Sequence, residues 1–167
     1  KEILQLKNDK LLISAITKSC KVKRHFVLKD THESNLRMQL NFGHTFAHSL
    51  EALHGFSKKL NHGEAVLIGM LLATKLSMIK KVCNIKDANK IFDHYKNQKI
   101  NFNLKNFVPK NKMNKIISLM INDKKNNDNK INFILLKKIG KTTNSGDHKL
   151  SASELKKYFP KLIDLNF

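Results

Sequence analysis

Four of the chain's eight histidines lie in one stretch, LNFGHTFAHSLEALHGFSKKLNHGEAVLIGM, which runs from Leu40 to Met70. His44 and His48 are four residues apart, so on a helix their imidazoles project from one face and can bind one object. His62 precedes a glycine and could supply a third nitrogen from a separate element. A catalytic Zn²⁺ ion takes three protein ligands and keeps one position open. The stretch therefore has the residue types and the spacing of a metal site, and we expect the rings of His44 and His62 to approach a common point.

The same spacing has other interpretations. A zinc protease carries HExxH, whose glutamate is the general base, but here the segment is HTFAH with Thr45 in that place, which disfavours metalloprotease chemistry. Two histidines four apart on a helix can also form a solvent-facing pair that binds nothing. The small residues Gly43, Ala47 and Gly63 beside the imidazoles favour a metal site. Spacing alone leaves the metal site and the surface pair both open.

Helices must position these histidines. Recurring apolar residues predict a helix from Asn8 or Asp9 to about Leu28. A tight turn at residues 41–43 leads into a second predicted helix, which runs through Leu53 and ends at Gly55. Residues 64 to about 81 are so apolar that they predict the central core helix.

The second half of the chain predicts smaller elements. Residues 86–98 and 111–123 have the pattern of two short amphipathic helices. KINFILLKKIGK alternates polar and apolar residues and is followed by the turn-like TTNSGD, so we expect a small β hairpin near residues 130–147. Ser151 and Glu154 form a capping-box pattern ahead of a final helix. The expected fold is mainly α, a single domain over residues 1–167.

Composition limits the partners. The chain carries 32 Lys plus Arg and 13 Asp plus Glu, a formal charge of +19, which suits a phosphorylated substrate, nucleic acid or an anionic membrane. A basic helical nucleic-acid-binding module is the alternative from another class, but the lysines are spread along the chain, Trp is absent and only two Tyr are present. The longest apolar run, Ala65–Ala73, is shorter than the roughly 20 residues of a membrane span. Cys20 and Cys83 form no CxxC pair, so we expect a cytoplasmic protein without a membrane partner.

The histidine stretch also matches a known pattern. SNLRMQLNFGHTFAHSLEAL, followed by LNHGEAVLIGM, resembles the signature of the 3-dehydroquinate synthase family, R-x-x-LNFGHT-x-GH-x-hE and then HGEAV-x-xGM, where h is apolar. CKVKRHFVLKDTHESNLR resembles the family's lysine-bearing helix and acidic loop, and MINDKKNNDNKINFILLKKIGK resembles its DKK and hhLL-x-x-IG segment. The resemblance implies the multi-helical C-terminal domain of the dehydroquinate synthase-like fold. In the family an NAD-binding domain precedes it, and we expect that domain to be absent from this chain.

The resemblance implies a role for eight residues. His44 and His62 match two metal ligands, and the family's third ligand, a glutamate, is expected before the start of this chain. His48 and Glu33 match residues that transfer protons. The positions that bind substrate are matched by Lys23, Arg37, Asn41 and Lys124.

Each role has a plainer alternative. Arg37 and Lys124 could be surface charges, Glu33 a solvated loop acid, and Asn41 a helix cap. Ala47 departs from the family, which usually has glycine there, and adds a methyl near the imidazoles. The remaining histidines match no motif and are expected at the surface: His25, His32, His54, His94 and His148.

The activity implied by the resemblance is that of a carbon–oxygen lyase of the shikimate pathway, which leads to chorismate and the aromatic amino acids. It converts 3-deoxy-D-arabino-heptulosonate 7-phosphate into 3-dehydroquinate and phosphate, using NAD and a divalent metal, Zn²⁺ or Co²⁺. The implied partners are the small phosphorylated substrate, the chain's own N-terminal domain and a second copy in a homodimer. Another sugar-phosphate cyclase of the same fold is the nearest alternative, and the isolated chain is expected to be inactive.

Overall fold

The computed structural model describes residues 5–98, 100, 104–122 and 130–164. It divides into two compact units, Lys1–Met38 and Gln39–Phe167, called here the N-terminal unit and the main unit. A single domain over the whole chain stays a prediction.

Helix α1, Asp9–Lys29, forms most of the N-terminal unit. Asn8 caps it, because its side-chain oxygen accepts a hydrogen bond from the Leu11 amide at 3.1 Å. The helix ends at Asp30, whose own amide bonds to the Phe26 carbonyl. Both ends confirm the predicted boundaries to within a residue, because the cap signals are local in sequence.

Two helices at the start of the main unit carry the histidines. Helix α2, His44–Leu53, begins after Gly43, and helix α3, His62–Ile79, begins after Asn61. Gly55 has a positive φ of 67°, as expected for a glycine that ends a helix. Asn61 and Glu64 form a capping box, which starts α3 two residues before the predicted position.

The core of the main unit is built around α3. Apolar side chains of α2 and α3 pack with those of α6 (Met113–Ile121), α7 (Ala152–Ile163) and the strand region. The largest fully buried residues are Phe46, Phe133, Phe159, Leu50, Ile68, Leu71, Leu72, Leu76, Ile116, Ile117, Met120 and Ile131. Helix α4, Ile85–Asn97, and the short α5, Leu104–Phe107, complete the described helices. The prediction of a mainly α fold with α3 at its centre is confirmed.

Helix α3 is also long and apolar enough, by length and composition alone, to cross a membrane. Half of it is buried inside the main unit, where it contacts α2, α4 and α7. Its hydropathy is therefore accounted for by its place in the core.

The strand region is more broken than expected. Strands β2 (Leu136–Lys138) and β3 (Lys141–Thr142) form an antiparallel hairpin, which confirms a small hairpin near residues 130–147. An outer pair, β1 (Ile131–Asn132) with β4 (Lys149–Leu150), was not predicted. The tight turn falls at Gly140, with φ of 81°, and residues 143–148, which include most of TTNSGD, connect the hairpin to β4.

Side chains explain the break between β1 and β2. The Leu135 amide donates to the Thr143 hydroxyl at 3.0 Å, and the Leu136 amide donates to the Ser77 hydroxyl at 2.8 Å. Since hydroxyl oxygens satisfy these buried donors, the segment needs no continuous strand partner there.

Candidate functional site

Three histidines of the motif lie together in the main unit. The ring centroids of His44 and His48 are 5.6 Å apart, and those of His44 and His62 are 5.8 Å apart. His44 is the first residue of α2, His48 follows one turn later, and His62 is the first residue of α3. The expectation that the rings of His44 and His62 approach a common point is confirmed.

One ring nitrogen of each candidate ligand is used in a hydrogen bond. His62 Nδ1 lies 3.0 Å from Glu51 Oε1, and His44 Nδ1 donates a longer bond, 3.4 Å, to the Phe42 carbonyl. In His62 the other nitrogen, Nε2, is thus the one suited to a metal. A zinc–imidazole bond is about 2.0–2.1 Å long, so rings 5.8 Å apart can each bring one nitrogen to the same ion.

The donor set fits two of the ligands of a divalent metal. Imidazole nitrogen suits Zn²⁺ and related ions of the first transition row. Among the described residues, no group of three His, Cys, Asp or Glu side chains is placed to hold a metal ion. The third ligand, expected before the start of this chain, stays a prediction.

Glu51 was not predicted to take part in the site. It lies on α2 seven residues after His44 and three after His48, so the helical period places it on the same face. Its side chain is 13% exposed, whereas that of His62 is 60% exposed. The period could have identified Glu51 as a neighbour of the histidines, but its contact with His62 depends on where α3 lies.

Asn41 is the last residue of a 3-10 turn, Arg37–Asn41, and is half-buried. The residue that caps α2 is Gly43, which provides no side-chain cap. The plainer interpretation of Asn41 as a helix cap is therefore wrong, and its role as a substrate ligand stays a prediction.

Two other candidates meet in the N-terminal unit. Glu33 Oε2 and Arg37 Nη2 lie 3.7 Å apart, and both side chains are 30% exposed. Arg37 Nη1 also donates to the Thr31 carbonyl at 3.1 Å. Lys23 is exposed on α1, and Lys124 lies outside the described residues.

Asp30 organises the loop that holds this pair. Its carboxylate accepts hydrogen bonds from the amides of Ser34, Asn35 and Arg37, each at 2.9 Å, and from the Ser34 hydroxyl at 3.1 Å. The amide of Arg37, followed by those of Asn35 and Ser34, holds the pKa of Asp30 well below its usual range. Glu33 has a positive φ of 53°, a backbone conformation that these bonds hold in place. Sequence reasoning missed Asp30, because its only signal is its position at the end of a helix.

The other histidines are not all at the surface. His25, His32 and His94 are exposed, as expected. His54 is half-buried, and its Nε2 donates to the Phe107 carbonyl at 3.2 Å. His148 is half-buried too, and its burial, together with Lys80, lowers its pKa. The surface prediction is therefore wrong for the last two, because tertiary packing covers them.

The fold has a counterpart among solved structures. The chain superposes on a crystal structure of 2-deoxy-scyllo-inosose synthase, described as complexed with carbaglucose-6-phosphate, NAD⁺ and Co²⁺. The TM-score is 0.70 at 20% identity, over 92% of this chain and 41% of that one. The main-chain fold is thus similar to that of part of this synthase.

The family follows from sequence comparison. Residues 1–126 match the family model for the C-terminal part of 3-dehydroquinate synthase, so the chain belongs to this family. It is 43% identical over 140 residues to 3-dehydroquinate synthase of Pelagibacter ubique (strain HTCC1062), covering 84% of this chain and 38% of that protein. The enzyme of Endomicrobium trichonymphae is 44% identical over 131 residues, which cover 78% and 35% of the two chains. The chain spans about two fifths of the length of these relatives.

Proposed function

We propose that this chain is the metal- and substrate-binding part of a 3-dehydroquinate synthase. The whole enzyme would convert 3-deoxy-D-arabino-heptulosonate 7-phosphate into 3-dehydroquinate and phosphate with NAD. The observation that carries the proposal is the cluster of His44, His48 and His62, three residues of the family motif whose rings lie together. The named relatives, all 3-dehydroquinate synthases, support it.

His44 and His62 would hold the divalent cation through Nε2, together with a carboxylate from the preceding domain. Bound there, the cation would supply Lewis acidity to the substrate hydroxyl that is oxidised and would orient the substrate. Zn²⁺ and Co²⁺ both suit imidazole ligands, and the fold neighbour was crystallised with Co²⁺ and NAD⁺.

His48 would move a proton at the reacting carbons. Its ring lies against that of His44, one helical turn further along α2, so it stands beside the proposed ligands and near the substrate they would bind. Glu33 is proposed as a second proton-transfer group, and its contact with Arg37 keeps its carboxylate in a defined place.

Cations and an amide would bind the anionic substrate. Arg37 presents a planar guanidinium, which suits carboxylate and phosphate. Lys23 and Lys124 would add charge, and Asn41 would bond to a hydroxyl. The surplus of basic residues, a formal charge of +19, favours approach of a doubly anionic sugar phosphate.

A second candidate is another sugar-phosphate cyclase of the same fold. The structural neighbour supports it, since its crystal held a hexose phosphate analogue. The two candidates differ in substrate, so phosphate release from the seven-carbon keto-acid phosphate and from glucose 6-phosphate separates them.

The resemblance also supports an NAD-binding domain N-terminal to this chain, a cytoplasmic location and a homodimer. The mass of the full-length protein in solution tests whether it is a dimer. We expect the isolated chain to bind Zn²⁺ or Co²⁺ much more weakly than the full-length protein and to show no turnover. Two imidazoles lack the negative charge and the third bond that a catalytic site normally has.

The test uses the full-length protein with NAD and Co²⁺. We expect phosphate release from the seven-carbon substrate, and His62→Ala should abolish both metal content and turnover while the helical circular dichroism is retained. His54→Ala is the matched control, since His54 bonds to the Phe107 carbonyl and should leave metal content unchanged. A His62→Ala enzyme with normal metal content would contradict the assignment.

A further inference from the structure

The contact between Glu51 and His62 joins two helices. Glu51 lies in the third turn of α2, and His62 is the first residue of α3. Glu51 Oε1 is 3.0 Å from His62 Nδ1, which is a good hydrogen-bond distance. The Glu51 carboxylate is mostly buried, whereas the His62 imidazole is mostly exposed. The buried carboxylate therefore restrains the exposed imidazole.

An ionised carboxylate can only accept a hydrogen bond. His62 therefore has its proton on Nδ1 in this contact, and a neutral His62 ring presents the lone pair of Nε2. His44 shows the same arrangement, since its Nδ1 faces the Phe42 carbonyl, which also only accepts. Metal-binding histidines commonly donate their second N–H to a carboxylate or a carbonyl, which fixes the ring and raises its basicity.

The surroundings of His62 make this support necessary. The ring stands at the first position of a helix with 60% of its side chain exposed, and a side chain in that setting otherwise exchanges among rotamers. The capping box of Asn61 and Glu64 fixes the backbone of the helix start but does not fix the ring.

We propose that Glu51 is a positioning residue that holds His62 in the Nδ1–H tautomer, with Nε2 directed to the divalent cation. The inference rests on the proposed function, in which His62 is a metal ligand. Helix α2 then provides one ligand, His44, and also the group that orients the other ligand on α3.

The experiment compares the full-length wild type with Glu51→Ala, Glu51→Gln and Asp93→Ala. Asp93 is an exposed acid on α4 and serves as the control. Co²⁺ affinity is measured by chelator competition, the cobalt absorption spectrum reports the ligand geometry, and ¹⁵N NMR of the metal-free protein reports the His62 tautomer. Circular dichroism checks that each variant folds.

We expect Glu51→Ala to bind Co²⁺ about 10- to 100-fold more weakly and to lose the single Nδ1–H tautomer. Glu51→Gln keeps an oxygen that can accept the bond, so its affinity should fall by less than that of Glu51→Ala. Asp93→Ala should match the wild type. If the role of Glu51 were only structural, its replacement would change stability but would leave the His62 tautomer and the cobalt spectrum unchanged.

Four results would overturn the proposal. If Glu51→Ala binds Co²⁺ as tightly as the wild type, Glu51 has no positioning role, and the proposed function stands. If the wild type binds no Co²⁺, both fail together. Two further measurements keep the proposal testable if Glu51→Ala does not fold. An Nε2–H tautomer of His62 in the wild type would refute it. So would an unchanged Co²⁺ affinity in a Glu51→Gln variant that has lost the hydrogen bond to His62.

Discussion

Gly43 and Gly69 meet backbone to backbone where α2 crosses α3. A Cβ atom on Gly69 would overlap the Gly43 carbonyl oxygen, and one on Gly43 would lie 2.6 Å from the Met70 amide nitrogen. Gly43 also has a positive φ of 85°, which L side chains rarely adopt. The two glycines let the helices approach closely, and this approach brings His44 to His62.

Gly69→Ala should therefore destabilise the fold and weaken metal binding. The added methyl meets backbone that cannot rotate away, so we expect a loss of about 1–3 kcal/mol in the free energy of unfolding. Urea unfolding and Co²⁺ affinity measure the two effects. Gly63→Ala is the matched control on the same helix, because a Cβ there meets nothing within 4 Å. Equal stability of both variants would contradict a tight crossing.

Asp30 should stabilise its loop in a pH-dependent way. Its pKa in the folded protein is below the ordinary value of 3.8, because the amides of Arg37, Asn35 and Ser34 favour the carboxylate. The contribution is fully present above the unfolded pKa and is lost as pH falls toward the folded pKa. Asp30→Ala should thus differ most from the wild type above pH 4, with the difference in unfolding free energy shrinking below it. A difference that does not change with pH would show that the charge of Asp30 is unimportant.

His48→Gln separates a proton-transfer role from a ligand role. We expect the full-length variant to keep its metal content while kcat falls by about 10²- to 10⁴-fold, the usual range for a lost general acid or base. Elemental analysis and phosphate release measure the two quantities. Loss of the metal together with activity would instead make His48 a ligand.

Removing the Ser77 hydroxyl should lower the free energy of unfolding by more than the loss of one small group would suggest. It donates to the Ala73 carbonyl and accepts from the buried Leu136 amide, which links α3 to β2. Ser77→Ala leaves that amide without its acceptor, so we expect a loss of about 1–3 kcal/mol on thermal or urea unfolding. Ser49→Ala is the control, since Ser49 is equally buried but its hydroxyl donates to the Phe46 carbonyl, on its own helix. A similar small loss of stability in Ser77→Ala and Ser49→Ala would argue against a stabilising link between α3 and β2 through Ser77.

Local signals predicted the helices well. Asn8, Gly55 and the capping box at Ser151 each act within four residues of the chain, so the sequence contains what the ends of α1, α2 and α7 need. The strand region was predicted less well. Leu135 and Leu136 give their amides to hydroxyls of Thr143 and Ser77, and no local pattern reveals those partners.

In the candidate site, too, some residues were indicated by local sequence signals and others only by contacts made on folding. The spacing of His44 and His48 showed that they share a face, and the motif indicated His62. Glu51 and Asp30 were missed because their importance lies in what they contact after folding. The helical period could place Glu51 beside the histidines, but only the position of α3 gives it a partner.

His44 and His62 both stand at helix starts, where aligned peptide dipoles place partial positive charge. A neutral imidazole carries no negative charge, so neither ring offsets these partial charges. Glu51 contacts His62 on the Nδ1 side of the ring, away from Nε2. The partial positive charge at the two helix starts would favour the phosphate and carboxylate of an anionic substrate over a neutral sugar.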